Sequence, residues 1–278
     1  IAGSNGPTSG QTTHRSSDGG ATWSQAAALP LGGTCCDPTV EWSNDGVNAY
    51  TATLGNCGFS GCSVWFYRSN DNGATWNGLE TSTPGDPRRE LTSAGESDKE
   101  FLHVDRHPAS PHADNLYLTW HDGNILKYSR STDRGNTWSA VQTLSAAGQN
   151  GIGSAIAGEQ DGHGYYFRPP FQSPFRIFAR KSTDGGATFA AAVNVSNTNA
   201  SFDFPVPSME TRRVFVYVSA DVDLSDGPFG NSIYAAWTDT DGVESPTPAN
   251  NHAKIQVAYS RDGGATWTAA ADAPVGLT

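Results

Sequence analysis

Basic residues are scarce in this chain. Seventeen Lys and Arg stand against 28 Asp and Glu in 278 residues, for a formal net charge of −11. Nucleic acid and anionic membrane surfaces are held by basic patches, so charge argues against both as partners. The acidity suits a soluble secreted protein and is compatible with Ca²⁺ binding. Long apolar runs are missing too, and none approaches the ~18 residues of a membrane-spanning helix. No leader-like stretch opens the chain, because Ile1 runs straight into a strand-like segment. A secreted protein of this sequence is therefore expected to be a mature or trimmed chain. Cysteines are few, and all four fall close together: Cys35, Cys36, Cys57 and Cys62. The vicinal pair and the C-x4-C spacing do not match common Zn²⁺ patterns. One or two disulfides are expected instead, among three pairings, and with them an oxidising compartment, secreted or at the cell surface.

Turn and strand formers are abundant: 31 Gly, 16 Pro and 10% aromatic residues. That mixture points to a turn-rich β protein. One octapeptide then recurs five times. It reads SSDGGATW at Ser16–Trp23, SNDNGATW at Ser69–Trp76, STDRGNTW at Ser131–Trp138, STDGGATF at Ser182–Phe189 and SRDGGATW at Ser260–Trp267. Its Asp falls at Asp18, Asp71, Asp133, Asp184 and Asp262, with 51 to 78 residues between copies. Periods of this size belong to propellers and solenoids.

The units share a grammar. An alternating strand precedes each motif from the second copy on, as in Ser63–Arg68, Ile125–Arg130, Phe175–Arg180 and Lys254–Tyr259. Period-2 alternation with aromatic and β-branched residues marks strands. A second strand lies earlier, at Ala49–Leu54, Asn115–Trp120, Gly164–Phe167 and Ser232–Trp237. A first strand lies earlier still, at Thr39–Trp42, Glu100–Val104, Ser154–Ala157 and Arg213–Val218. Asp45-Gly46 and Asp161-Gly162 mark hairpins between first and second strands. A fourth strand follows each motif, as in Trp138–Leu144. The motif thus joins the third strand to the fourth. Its fifth-position Gly permits positive φ, its Asp accepts turn N–H groups, and its Trp or Phe can tuck between sheets. Each copy reads as a fold staple, not as a catalytic centre.

The predicted fold is all-β, a β-propeller of four-stranded antiparallel blades in a single domain over 1–278. A partial first blade covers 1–31, and further blades cover 32–90, 91–147, 148–197 and 198–278. Five blades are visible. The first lacks an innermost strand, which would leave an open sheet edge. The chain is therefore expected to be a piece of a longer six- or seven-bladed ring, the alternative being a closed ring of five. A two-sheet sandwich would not explain one turn repeated at the same place.

S-x-D-x-G-x-T-W/F resembles the Asp-box, or bacterial neuraminidase repeat, of sialidases and related propellers. Five copies spread over the chain carry the resemblance. It is specific for fold and much less so for function, since the repeat also occurs in other glycosidases, polysaccharide lyases, sorting receptors and propellers with no known reaction. For a sialidase the resemblance implies three arginines on the substrate carboxylate, a Tyr nucleophile paired with a Glu, and an Asp acid. The Arg-Ile-Pro motif expected before the first Asp-box is absent.

Ligands of propellers bind where innermost strands begin. Those heads offer Asp37, then Glu96, Asp98, Lys99 and Glu100, then Gly151–Gly153, then Glu210, Arg212 and Arg213. Asp37, Asp98, Glu100 and Arg212 are the catalytic candidates, since converging carboxylates with an arginine can bind or cleave a sugar. The plainer reading has the three acids organising strand starts and pairing with Lys99 and Arg89. Asp221, Asp223 and Asp226, closely spaced before Gly227, are the candidate ligands of a structural Ca²⁺, though Ser232 stands where an EF-hand loop needs Glu. A plain solvated acidic loop is the competing account. Asp239 and Asp241 are a weaker version. His103, His107, His112 and His121 read as surface or loop residues. Tyr165–Phe167 reads as strand core and Arg168–Phe171 as a rim loop. No cofactor is required by this reading.

The function expected is a secreted propeller acting on or binding extracellular glycans, most concretely a glycoside hydrolase of the exo-sialidase type. A non-catalytic carbohydrate- or protein-binding propeller is the alternative, and a polysaccharide lyase a second.

Overall fold

The computed structural model describes residues 1–6, 10–30, 33–58, 61–78, 96–145, 151–169, 171, 173–209, 211–240 and 252–272. The chain forms two compact units, Ile1–Ser145 and Ala146–Thr278.

The first unit holds three antiparallel sheets. β1 (Ala2–Asn5), β2 (Gln11–Arg15) and β3 (Ser24–Gln25) make the first. β4 (Thr39–Trp42), β5 (Ala49–Gly58), β6 (Gly61–Ser69) and β7 (Asn77–Gly78) make the second. β8 (Ser97–Val104), β9 (Leu116–Asp122), β10 (Ile125–Ser131) and β11 (Gln142–Thr143) make the third. Its apolar face buries Tyr50, Leu54, Val64 and Phe66 of the second sheet with Leu102, Leu118 and Trp120 of the third.

The second unit holds β12 (Ala155–Gly158), β13 (Gly164–Arg168), β14 (Arg176–Ser182) and β15 (Val193–Asn197) in one sheet. A ribbon of β16 (Asp203–Phe204) and β17 (Val214–Phe215) follows. β18 (Val218–Val222), β19 (Ile233–Thr240), β20 (Ala253–Ser260) and β21 (Ala271–Asp272) make the last sheet. Phe167, Ile177, Phe204, Ile233 and Trp237 share one core.

In every sheet the strands lie in chain order, each antiparallel to the one before. The first strand of the last sheet corrects the expectation. The alternating run Arg213–Val218 is not one strand. Val214 and Phe215 pair with β16, and a new strand starts at Val218 against β19. Period 2 continues across the break, so sequence alone does not reveal the change of partner. The fourth strands are also shorter than expected. β11 pairs only at Gln142 and Thr143, while single hydrogen bonds from Ser139 N to Arg130 O and from Leu144 N to Leu126 O extend it.

The recurring octapeptide has one geometry in all five copies. The Ser hydroxyl donates to Asp Oδ1 at 2.7–2.9 Å and accepts the fifth-position Gly N–H at 2.8–2.9 Å. The Thr N–H donates to the same Oδ1 at 2.8–2.9 Å, and the Thr hydroxyl to Oδ2 at 2.5–2.6 Å. These bonds, led by those from Thr, pull the carboxyls of Asp18, Asp71 and Asp262 down to about 2. The fifth-position Gly has φ between 74° and 92°. At Gly135 packing adds a second demand, because a Cβ would come within 2.5 Å of the Phe66 ring.

The closing aromatics do not all do the same work. Trp138 packs edge-on against Phe66 of the preceding sheet, with ring centroids 5.0 Å apart. Trp267 meets Phe167 of the β12–β15 sheet in the same manner. Trp76 donates its indole N–H to Thr13 of the first sheet. Phe189 instead contacts Tyr166 of its own sheet, and Trp23 is 51% exposed.

Candidate functional site

In a four-stranded meander, the first strand begins at the end opposite the turn joining the third strand to the fourth. The heads of β4 and β8 therefore lie away from the Asp-boxes, at the end of the β1–β2, β5–β6 and β9–β10 hairpins. The chemistry of the first unit gathers there.

Asp37 stands two residues before the β4 head, ahead of Pro38. Its N–H donates to Asn5 Oδ1 at 3.2 Å, and its carboxylate pairs with Lys99 Nζ at 2.5 Å. Both Asp37 and Lys99 have left-handed backbones, with φ of 55° and 52°. Such conformations are uncommon for residues with a side chain and collect at functional sites. Lys99 sits in a bulge of β8, where register with β9 shifts between Asp98 and Phe101. Bulges re-aim side chains, and this one separates Asp98 from Glu100. Asp98 Oδ1 accepts the Lys99 N–H, and its Oδ2 lies 3.7 Å from His121 Nε2. His121 Nδ1 is 2.6 Å from the Gly123 carbonyl, which can only accept, so Nδ1 carries the proton. Burial lowers the His121 pKa and favours the neutral ring.

Glu100 is 6% exposed, and neither carboxyl oxygen has a hydrogen-bond partner. Burial raises its pKa well above the usual carboxylate range, and the Asp37 and Asp98 charges raise it further, against the pull of Lys99. A carboxyl whose burial disfavours its ionised form thus stands near a carboxylate held by an ammonium group. Two carboxyls in such unlike surroundings can divide acid and base roles between them.

Two disulfides brace this end, Cys35–Cys36 and Cys57–Cys62. Backbone bonds from Cys35 N to Leu54 O and from Leu54 N to Cys36 O tie the approach to β4 onto β5. Beside them lies a cleft of about 510 Å³, lined in part by Asn5, Gln11, Thr12, His14 and Thr34. Asn5 links its wall to Asp37. Among the described residues, the lining is rich in amides and hydroxyls and holds no Asp, Glu, Lys or Arg.

The sequence-predicted residues are only partly brought together. Asp37, Asp98 and Glu100 share the first unit, as does the expected partner Lys99, whereas Arg89 lies outside the described residues. Arg212 belongs to the second unit, exposed between Pro207–Met209 and β17. Asp221, Asp223 and Asp226 do not form a convergent set. Among the described residues, Glu159, Asp161 and His163 are a group of three metal-ligating side chains within reach of one another, whereas Cys35, Cys36 and Cys57, also close together, are all held in disulfides. β18 continues through Asp221, whose Oδ1 accepts the Val222 N–H, and Asp223 is used by the Ser225 N–H in a turn. Asp239 is also a backbone staple, buried and accepting the Asn199 and Ala200 N–H groups, while Asp241 lies outside the described residues.

His103 and His121 are corrections, because both are buried. His103 lies on β8, stacked on Tyr117, and burial first, then Arg106, lowers its pKa to about 3. Arg168 belongs to β13, not to a loop, with its guanidinium over the Phe178 ring. Sequence reading also missed a Tyr beside a Glu, Tyr165 and Glu159. They lie at the Asp-box end of the second unit, with Tyr165 1% exposed.

The family description BNR/Asp-box repeat matches residues 258–269. A curated xyloglucanase from Paenibacillus sp is 28% identical over 179 residues, which is 56% of this chain and 16% of that protein. The chain thus spans about a sixth of that relative. Among solved structures, a Fusarium graminearum α-L-arabinofuranosidase superposes with a TM-score of 0.57 at 13% identity, covering 93% of this chain and 72% of that one. A Xanthomonas campestris GH74 xyloglucanase gives 0.51 at 18% identity, covering 96% and 34%. A Hadza microbial sialidase gives 0.53 at 16% identity, covering 95% and 52%. At these identities the superpositions establish the fold. The chain is an all-β Asp-box repeat protein with its sheets folded as in the β-propeller glycosidases.

Proposed function

We propose that the protein is a glycoside hydrolase acting on an extracellular polysaccharide of neutral sugars. Glu100 donates the proton to the leaving oxygen, and Asp37, held by Lys99, supplies the second carboxylate. The observation that carries this reading is the buried, unpartnered Glu100 carboxyl in the field of Asp37. The cleft beside Asp37 favours a neutral sugar over a sialoside, since hydroxyl and amide donors suit sugar hydroxyls and no arginine lines it among the described residues. Among the described residues, Asp37 pairs with Lys99, and Asp98 lies 3.7 Å from the His121 ring. The xyloglucanase and arabinofuranosidase relatives agree with a neutral polysaccharide substrate. The two disulfides agree with a secreted protein.

The test is release of reducing ends from arabinan, xyloglucan and a sialoside, by the parent protein and by Glu100→Gln and Asp37→Asn. Hydrolysis of a neutral polysaccharide, lost in both variants, is expected. Turnover that survives Glu100→Gln removes Glu100 as the acid. Binding to polysaccharide without turnover would instead establish a non-catalytic glycan-binding propeller.

A further inference from the structure

A second cluster lies in the β12–β13 hairpin, and the hydrolase reading makes no use of it. Glu159, Asp161 and His163 follow one another at alternate positions around a tight turn. The turn is fixed by hydrogen bonds from Glu159 N to His163 O at 2.7 Å and from Gly162 N to Glu159 O at 3.1 Å. Asp161 Oδ1 accepts the His163 N–H at 3.1 Å, which leaves Oδ2 facing the imidazole. His163 Nδ1 lies 2.8 Å from Asp161 Oδ2 and 3.2 Å from Glu159 Oε2. The three ligand atoms fall within 4.8 Å of one another.

One nitrogen faces two carboxylates here, and it carries at most one proton. That proton cannot serve both acceptors well. The Glu159 side chain is 5% exposed, so its imperfect pairing is costly. Lys181 Nζ, at 3.8 Å from Glu159, leans over the Tyr165 ring and gives only a loose contact. A second observation points the same way. The Tyr165 hydroxyl is buried beside Glu159 and makes no hydrogen bond of good geometry.

We infer that Glu159, Asp161 and His163 form a divalent metal site of the Zn²⁺ type, with Tyr165 behind Glu159 as its orienting group. A doubly charged ion replaces one shared proton and satisfies the imidazole and both carboxylates together. The spacing is close to what such an ion needs. Ligand atoms 2.0–2.1 Å from a tetrahedral ion stand roughly 3.3 Å apart. The Glu159 contact already matches, and the half-exposed Asp161 side chain can open by the few tenths required. Imidazole with two carboxylates selects Zn²⁺ over Ca²⁺, which takes six to eight oxygens. The ion would lock the hairpin at the Asp-box end of this unit, where Lys181 and Tyr165 approach Gly263 of the last Asp-box.

The test is calorimetric titration of chelator-stripped, untagged protein with ZnCl₂, and with CaCl₂ as the second arm. One Zn²⁺ per chain is expected, with no comparable Ca²⁺ binding. His163→Ala should weaken Zn²⁺ binding at least about tenfold. Asp161→Asn, at a more exposed position, repeats the test if His163→Ala does not fold. Lys181→Met removes a competing cation and should tighten binding. No Zn²⁺ binding by the parent, or equal binding by parent and His163→Ala, overturns the assignment. Neither outcome touches the Glu100 site, which lies in the other unit.

Discussion

Replacing Trp138 by Ala isolates what the aromatic end of an Asp-box contributes. Trp138 is 9% exposed and packs edge-on against Phe66 in the core shared by β4–β7 and β8–β11. Removing a buried Trp side chain costs about 3–5 kcal/mol, from lost transfer energy and from the cavity left behind. The lower end applies here, because the buried Trp138 indole N–H has no partner and its desolvation cost disappears with it. A loss of about 3 kcal/mol corresponds to a Tm lower by about 6–12 °C for a unit of this size. Trp23 is the internal control, since it holds the same place in the first motif but is 51% exposed. Trp23→Ala should stay within about 0.5 kcal/mol of the parent. Trp138→Phe, imitating Phe189 of the fourth copy, should fall between the two. The assay is equilibrium urea unfolding followed by far-UV circular dichroism, with thermal melts as a second measure. Equal losses at Trp23 and Trp138, or no loss at Trp138, would refute the claim that this aromatic is an inter-sheet anchor.

Gly135→Ala should destabilise more than Gly20→Ala in the same melts, because both have positive φ but only at Gly135 does a new Cβ strike Phe66. Glu100 has a raised folded-state pKa, so its stabilising effect is full below the unfolded value and fades as pH rises toward the folded one. Unfolding curves from pH 4 to 9 should therefore show the parent losing stability relative to Glu100→Gln as pH rises, and parallel curves would contradict the burial argument. The Asp71 carboxyl, held near 2 by its Thr75 and Ser69 bonds, behaves oppositely. Its contribution is present above the ordinary carboxylate range and is lost as pH falls toward 2, so Asp71→Asn should flatten the acid limb of the stability profile between pH 4 and 2.

The repeating turn, and with it the fold class, was legible from the residues alone. Ser, Asp, Gly and Thr at fixed offsets close the same local hydrogen bonds wherever they occur, so five copies predict five turns without reference to neighbours. Alternation determined most strands, because side chains on a pleat change face at every residue. The acids at the heads of β4 and β8 were legible as candidates for the same reason. Their relationship was not. Lys99 is 62 residues from Asp37, and only packing of β4 against β8, with a bulge that no periodicity announces, brings them into contact. Tertiary structure also decided which Trp is buried, that Val214 and Val218 serve different sheets, and that Glu100 lies out of water. Each of these depends on what stands opposite a side chain in space. Local sequence specifies the hydrogen bonds within a turn, but desolvation and long-range charge are set by distant residues that only the folded chain brings near.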